Sequence, residues 1–174
     1  MLIRPMGPED LPALRLLYEK SWRWAYRDLI PHSFLDSVPK EAWAGGAVKE
    51  GRQNLVLEEA GALLGTVSFC PSRWWKYPDY GEIVALYLLP EHTGQGWGRL
   101  LLDRAVAALG DQGMEKVLLW VLKDNRRARA FYEKYGFVPK GDYQESSYDG
   151  QAVGEVLYTY GDEPPGAGLY RRLW

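Results

Sequence analysis

The sequence predicts a single α/β domain, a sheet flanked by helices, and three observations lead there. Runs with strand character alternate with runs at helical spacing along the chain. One nearly continuous apolar run, EIVALYLL from Glu82 to Leu89, has the character of a strand covered on both faces. A glycine-rich loop follows it directly and opens a helix, the order from which anion sites are built. At 174 residues the chain can hold one well-formed core and is short for two, so residues 1–174 are read as one domain.

Taken in order, Leu2 to Arg4 reads as a short first strand closed by Pro5 and Gly7. Pro8, Glu9 and Asp10 then start a helix in which Leu11, Leu14, Leu17 and Tyr18 recur at helical spacing. A second helix is expected from about Lys40 to Glu50, weakened by Gly45 and Gly46. Asn54–Glu58 and Ala62–Phe69 form a hairpin around Glu59–Gly61, and the proline-punctuated aromatic segment Ser72–Tyr80 reads as a loop. After the strand Glu82–Leu89 a helix runs from about Gly96 to Leu109. Lys116–Leu122 is a further strand. The next helix carries Ala128, Phe131, Tyr132 and Tyr135 at i, i+3, i+4 and i+7, with Asp124 or Asn125 to cap it and Gly136 to stop it. Phe137–Tyr143 and Ala152–Tyr160 close the sheet through the polar run SSYDGQ, and an irregular tail is expected from about 161 to 174.

Composition narrows the function. A formal net charge of −2 gives no overall pull toward nucleic acid, and no apolar run approaches the roughly 20 residues that cross a bilayer. Met1–Pro5 lacks the apolar core of a secretion signal and the single Cys70 has no disulfide partner, so a cytoplasmic setting is expected. One cysteine and two separated histidines make no transition-metal set, and no Gly-x-Ser-x-Gly is present for a serine hydrolase. The expectation is no metal, no nucleic acid and no membrane.

The glycine loop, HTGQGWGR, places Gly94, Gly96 and Gly98 at alternate positions. Such a loop aims several backbone N–H groups at one point, and the helix dipole adds partial positive charge there. A nucleoside-triphosphate loop would need Lys and Ser or Thr after its last glycine, where Arg99 and Leu100 stand. A dinucleotide fingerprint would need a third glycine at position 99, and its repeated strand–helix units are missing on both sides.

The segment EIVALYLLPEHTGQGWGRLLLD, followed by a strand and then by NRRARAFYEKYGF from Asn125 to Phe137, resembles the Gcn5-related N-acetyltransferases, the GNAT superfamily. The resemblance covers nearly the whole chain. It implies a mixed, mostly antiparallel twisted sheet flanked by helices, with a V-shaped split between the two central strands, and it implies acetyl-CoA as the cofactor. The pyrophosphate would rest on Gly94, Gln95, Gly96, Trp97, Gly98 and Arg99, although Thr93 stands where Arg or Gln commonly opens this signature. The pantetheine arm would pair with Leu86, Tyr87 and Leu88 as an added strand, an N–H near Leu88 polarising the thioester. Asn125 matches the family's cofactor-arm asparagine and equally suits a helix cap. Tyr132 matches the tyrosine that protonates the departing thiolate, and is also simply an aromatic on a helix's buried face. Glu82 matches the general base of histone-acetylating relatives, and is also simply a strand-end glutamate. Trp120 stands where ribosomal-protein N-terminal acetyltransferases carry a glutamate.

The function so implied is acetyl transfer to a primary amine of a small molecule or peptide. The acceptor is expected between the first helical region, the Ser72–Tyr80 loop and the closing strands, with Trp22, Trp24, Tyr26, Trp74, Trp75, Tyr77 and Tyr80 as lining and Asp28, Asp79 or Glu145 as ammonium partners. Two alternatives stay open: a coenzyme-A-binding sensor without acyl transfer, and a transferase of a longer acyl group. The aromatic load and glycine-rich tail permit a homodimer.

Overall fold

A computed structural model describes residues 1–162. Seven strands form one sheet in the order β1-β2-β3-β4-β5-β7-β6: β1 (Leu2–Pro5), β2 (Gln53–Glu59), β3 (Ala62–Pro71), β4 (Tyr80–Leu88), β5 (Lys116–Leu122), β6 (Val138–Tyr148) and β7 (Gln151–Tyr160). Every neighbouring pair is antiparallel except β4 and β5, which are parallel because a helical crossover joins them. The helices are α1 (Leu11–Ala25), α2 (His32–Ser37), α3 (Trp97–Asp111) and α4 (Arg126–Tyr135).

Each face of the sheet has its own core. Leu101, Leu102, Ala105 and Leu109 of α3 pack on Leu57, Val67, Phe69, Ile83, Leu119 and Val121, with Phe131 and Tyr132 of α4 alongside. Leu14, Leu17 and Tyr18 of α1 cover the opposite face, on Val56, Leu122 and Val153. The alternation of side chains along each strand assigns these sets. The apolar run of β4 is continuous because helices cover both of its sides.

The central strands part. β4 and β5 pair only from Tyr80 with Lys116 to Ile83 with Leu119. On its other side β4 shifts register against β3: Ser68 faces Ala85 while Phe69 faces Ile83, which leaves Val84 as an extra residue. A bulge of this kind bends its strand and adds twist. From Val84 onward β4 therefore runs beside β3 alone, and the expected V-shaped split is present.

Two local expectations differ and a third falls outside the described residues. Lys40–Glu50 is not a helix but one 3-10 turn at Lys40–Ala42 followed by turns, with Ala44 in a left-handed conformation and Trp43, Ala44 and Ala47 buried under α1. The six-residue α2 lies just before it. The run SSYDGQ is not a loop: β6 and β7 continue through it to a two-residue turn at Asp149 and Gly150, both with positive φ, 49° and 79°, as a type I′ hairpin requires. The expected irregular tail lies outside the described residues beyond Asp162.

Candidate functional site

The split opens into a cleft of about 780 Å³ between the α1 and α4 sides of the molecule. Its floor is β4 from Ile83 to Leu88 on one side and Trp120, Val121 and Leu122 of β5 on the other. Of the residues predicted from sequence, Leu86, Tyr87, Leu88, Gly94, Gly96, Gly98, Arg99, Asn125 and Tyr132 all line it. Gln95 and Trp97 do not: the Gln95 amide turns back to the Glu91 carbonyl at 3.0 Å, and Trp97 packs into the α3 core.

At one end of the cleft α3 begins. Gly96 is its N-cap at φ 89°, and Gly94 before it has φ 75°, backbone states that side chains rarely adopt. A Cβ at either position would meet nothing within 4 Å, so glycine is needed for the turn rather than for lack of room. The first turn of α3 contains no acidic residue, leaving its N–H groups and dipole unopposed. The Arg99 guanidinium lies 5.3 Å from the Tyr135 ring centroid across this end. The chemistry available is backbone capture of an anion.

On the α4 side the Asn125 Oδ1 accepts from the Ala128 N–H at 3.1 Å, so the cap is formed by a residue that also faces the cleft. The Tyr132 ring packs against Phe131 and Phe137, and burial pushes its phenol above the ordinary tyrosine range, so it stays a proton donor at neutral pH. On the α1 side Ser21 donates to the Leu88 carbonyl at 3.0 Å, tying the helix to the free end of β4.

Glu82, the expected base, stands off the cleft. It is 1% exposed and is not among the residues that line the cleft. Arg73 binds both its oxygens, Nε at 3.0 Å from Oε2 and Nη2 on Oε1, while the Arg73 N–H and the Trp74 indole add bonds of 3.1 and 3.3 Å. The aromatics of the Ser72–Tyr80 loop, expected to line the acceptor site, also stand off the cleft. Trp74 packs on Trp120, Tyr77 donates to Asp142 and Trp75 is 89% exposed; none lines the cleft. Glu145 accepts from Tyr143 and Asp79 is absent from the lining.

The lining also includes Trp22, Trp24, Tyr26 and Asp28, with Tyr87, Trp120, Tyr148 and Glu155, and the Arg127 guanidinium lies 4.2 Å from the Trp24 ring centroid. The Tyr26 and Tyr87 hydroxyls lie 3.4 Å apart. Tyr148 and Glu155 were not singled out in the sequence. The available signal was the alternation Val153, Glu155, Leu157, which puts one carboxylate on an otherwise apolar strand face.

A model described as the acetyltransferase (GNAT) family matches residues 11–137. An uncharacterised N-acetyltransferase of Bacillus subtilis is 30% identical over 137 residues, 76% of this chain and 78% of its own length. A spermidine N(1)-acetyltransferase of Thermoplasma acidophilum is 26% identical over 139 residues, 78% of this chain and 86% of its own. Among solved structures, the PaiA N-acetyltransferase of Thermoplasma acidophilum in complex with coenzyme A aligns with a TM-score of 0.70 at 24% identity, over 91% of this chain and 98% of that one.

Proposed function

The chain belongs to the acetyltransferase (GNAT) family, and on that footing we propose that it moves an acetyl group from acetyl-CoA to a primary amine of a small molecule or peptide by direct attack. The fork between β4 and β5 is the observation that carries the reading. Past Ile83 the β5-facing edge of β4 has no strand beside it, so its N–H and C=O groups suit an extended amide-bearing arm. The glycine turn and the start of α3 stand at one end of that edge, where a pyrophosphate would be held by backbone N–H groups of Gly94 to Arg99.

Acetyl-CoA supplies an activated acyl group. Leu86, Tyr87 and Leu88 hold and orient the arm, Asn125 closes over it from α4, and a β4 N–H near Leu88 polarises the thioester carbonyl. Tyr132 gives its proton to the sulfur as the C–S bond breaks. Glu82 has no part in this chemistry, because Arg73 occupies both its oxygens and it lies off the cleft.

Direct attack is favoured over an acetylated cysteine. Cys70 is buried off the cleft, burial pushes its thiol up, and the Arg52 guanidinium is 2.9 Å from its sulfur. We place the reaction in the cytoplasm; no helix among the described residues is long and apolar enough to cross a membrane.

The test is release of free thiol from acetyl-CoA against amino acids, polyamines, aminoglycosides and short peptides. Thiol release that depends on one class of amine supports the proposal and names the acceptor. Binding of acetyl-CoA without turnover on any amine would overturn it in favour of a coenzyme-A-binding module.

A further inference from the structure

The cleft carries charge of both signs: its cationic lining residues are Arg27, Arg99, Arg126, Arg127 and Lys134, and the carboxylates among its described lining residues are Asp28, Asp124 and Glu155. Asp28 is 85% exposed beside Arg27, and Asp124 is exposed. Glu155 alone of the three is partly buried.

Glu155 stands on β7 opposite Leu122 of β5 and Gln144 of β6. Strand alternation puts it on the same face as Val153, Leu157 and Trp120, the face that α1 covers. Its Oε2 accepts from Gln144 Nε2 at 2.6 Å and from Ser146 Oγ at 3.4 Å. Its Oε1 has no partner among the described residues, and no Lys, Arg or His there forms an ion pair with it. The contrast with Glu82 is direct. One carboxylate on this face is fully buried and neutralised by Arg73; the other opens on the cleft with one oxygen unused and its charge uncompensated.

The surroundings specify what would compensate it. From β5 the neighbours on this face are Trp120 and Leu122, from β6 Gln144, Ser146 and Tyr148, and from the end of α1 Tyr26. Burial chiefly holds the Tyr26 and Tyr148 phenols above their usual range, with the Glu155 charge adding to it, so both are protonated at neutral pH. A partly dehydrated carboxylate in a cleft also lined by Tyr26, Trp120 and Tyr148 attracts an organic cation, through Coulomb attraction and the negative faces of aromatic rings together.

We infer that Glu155 receives the acceptor's ammonium group and removes its first proton, and that the acceptor is an alkylammonium compound with an apolar or aromatic body seated against Trp22, Tyr26, Trp120 and Tyr148. The inference rests on the acetyl-transfer reading. It answers a requirement of that reaction, because an alkylammonium must lose a proton before its nitrogen has an electron pair to give. Two protons leave the nitrogen in all. Glu155 takes the first before the C–N bond forms and passes it to solvent at the open cleft. The second leaves as the C–S bond breaks and, by way of solvent, replaces the proton that Tyr132 gives to sulfur. The products are the N-acetyl amine and the free thiol.

The experiment uses the full chain and the amine from the panel that the unmodified protein turns over best. Glu155→Gln, Glu155→Asp and Glu82→Gln are compared with it between pH 6 and about 10, the range over which an alkylamine deprotonates itself. For Glu155→Gln, kcat/KM for the amine is expected to fall about 100-fold or more at pH 7. The deficit should shrink toward pH 10, and acetyl-CoA binding measured by calorimetry should not change. Glu155→Asp should retain the shape of the pH profile at a reduced rate, and Glu82→Gln should retain the profile altogether. If the unmodified protein acetylates an amine and Glu155→Gln matches it in rate and pH profile, the inference fails while acetyl transfer stands. If Glu155→Gln no longer binds acetyl-CoA, Glu155→Asp decides, and a rate loss equal at every pH would overturn the inference. If no amine is acetylated, the acetyl-transfer reading itself fails.

Discussion

Arg73 encloses the carboxylate of Glu82: Nε lies 3.0 Å from Oε2, Nη2 binds Oε1, and the Arg73 N–H reaches Oε2 at 3.1 Å. The pair is lopsided, with the Glu82 side chain 2% exposed and that of Arg73 47%. Removing the arginine would leave a buried charge without a counter-ion. Arg73→Ala is expected to cost about 2–4 kcal/mol, below the fully buried range because half of the guanidinium already meets water. Adding Glu82→Leu should restore part of that loss. Denaturant unfolding of the single and double variants measures both.

The same relationship shows where sequence reading stopped. Glu82 matches a family base by position, but nothing in its neighbourhood along the chain reveals that Arg73, nine residues earlier, folds over it. The apolar run Glu82–Leu89 was legible as a doubly covered strand because both helical layers impose the same demand on every position. The loop glycines were legible because their φ values leave few alternatives. The turn at Asp149 and Gly150 was not, although Asp-Gly is a strong hairpin signal, because β6 is largely exposed and its polar residues hide the strand on either side. Residues 40–50 misled for the opposite reason, since Trp43, Ala44 and Ala47 are apolar and buried yet sit in turns.

Gly96→Ala should weaken acetyl-CoA binding. At φ 89° an alanine costs about 1–2 kcal/mol, although its Cβ has open space. Relief of that strain would rotate the N–H groups at the start of α3 away from the cleft. An affinity loss of about tenfold or more is expected by calorimetry, corresponding to about 1.4 kcal/mol. Gly110→Ala is the control: it lies inside α3 with open space around it, and should raise stability by up to about 1 kcal/mol with binding unchanged.

Tyr132→Phe removes the hydroxyl proposed as proton donor and keeps the ring that packs on Phe131 and Phe137. A fall in kcat of about 100-fold is expected, with little change in the KM for acetyl-CoA. An equal rise in KM with kcat intact would mean that the hydroxyl only binds the cofactor arm.

Stability should decline at alkaline pH. Tyr26, Tyr87 and Tyr132 all have phenols held above their usual value, chiefly by burial. Below about pH 10 each is protonated in both the folded and the unfolded chain and contributes no pH dependence. Above that value the unfolded chain loses protons that the folded chain keeps, so stability falls as pH rises. Thermal melts should begin to fall at about pH 8.5, where the unfolded Cys70 thiol ionises and the buried one does not, and drop more steeply above about 10, and Tyr87→Phe should make the steeper drop shallower.

Two tryptophans carry opposite expectations for the proposed acceptor. Trp120 lines the cleft, and Trp120→Ala should raise the acceptor's KM. Trp75 is 89% exposed outside it, and Trp75→Ala should leave steady-state kinetics unchanged.

The most direct measurement is a product balance: the protein, acetyl-CoA and the preferred amine are incubated, and free thiol, N-acetyl amine and the intact mass of the protein are read together. Direct transfer across the β4–β5 fork requires one N-acetyl amine for each thiol released and an unchanged protein mass. Thiol without acetylated amine, or an acetyl group found on the protein and passed on from there, would contradict it.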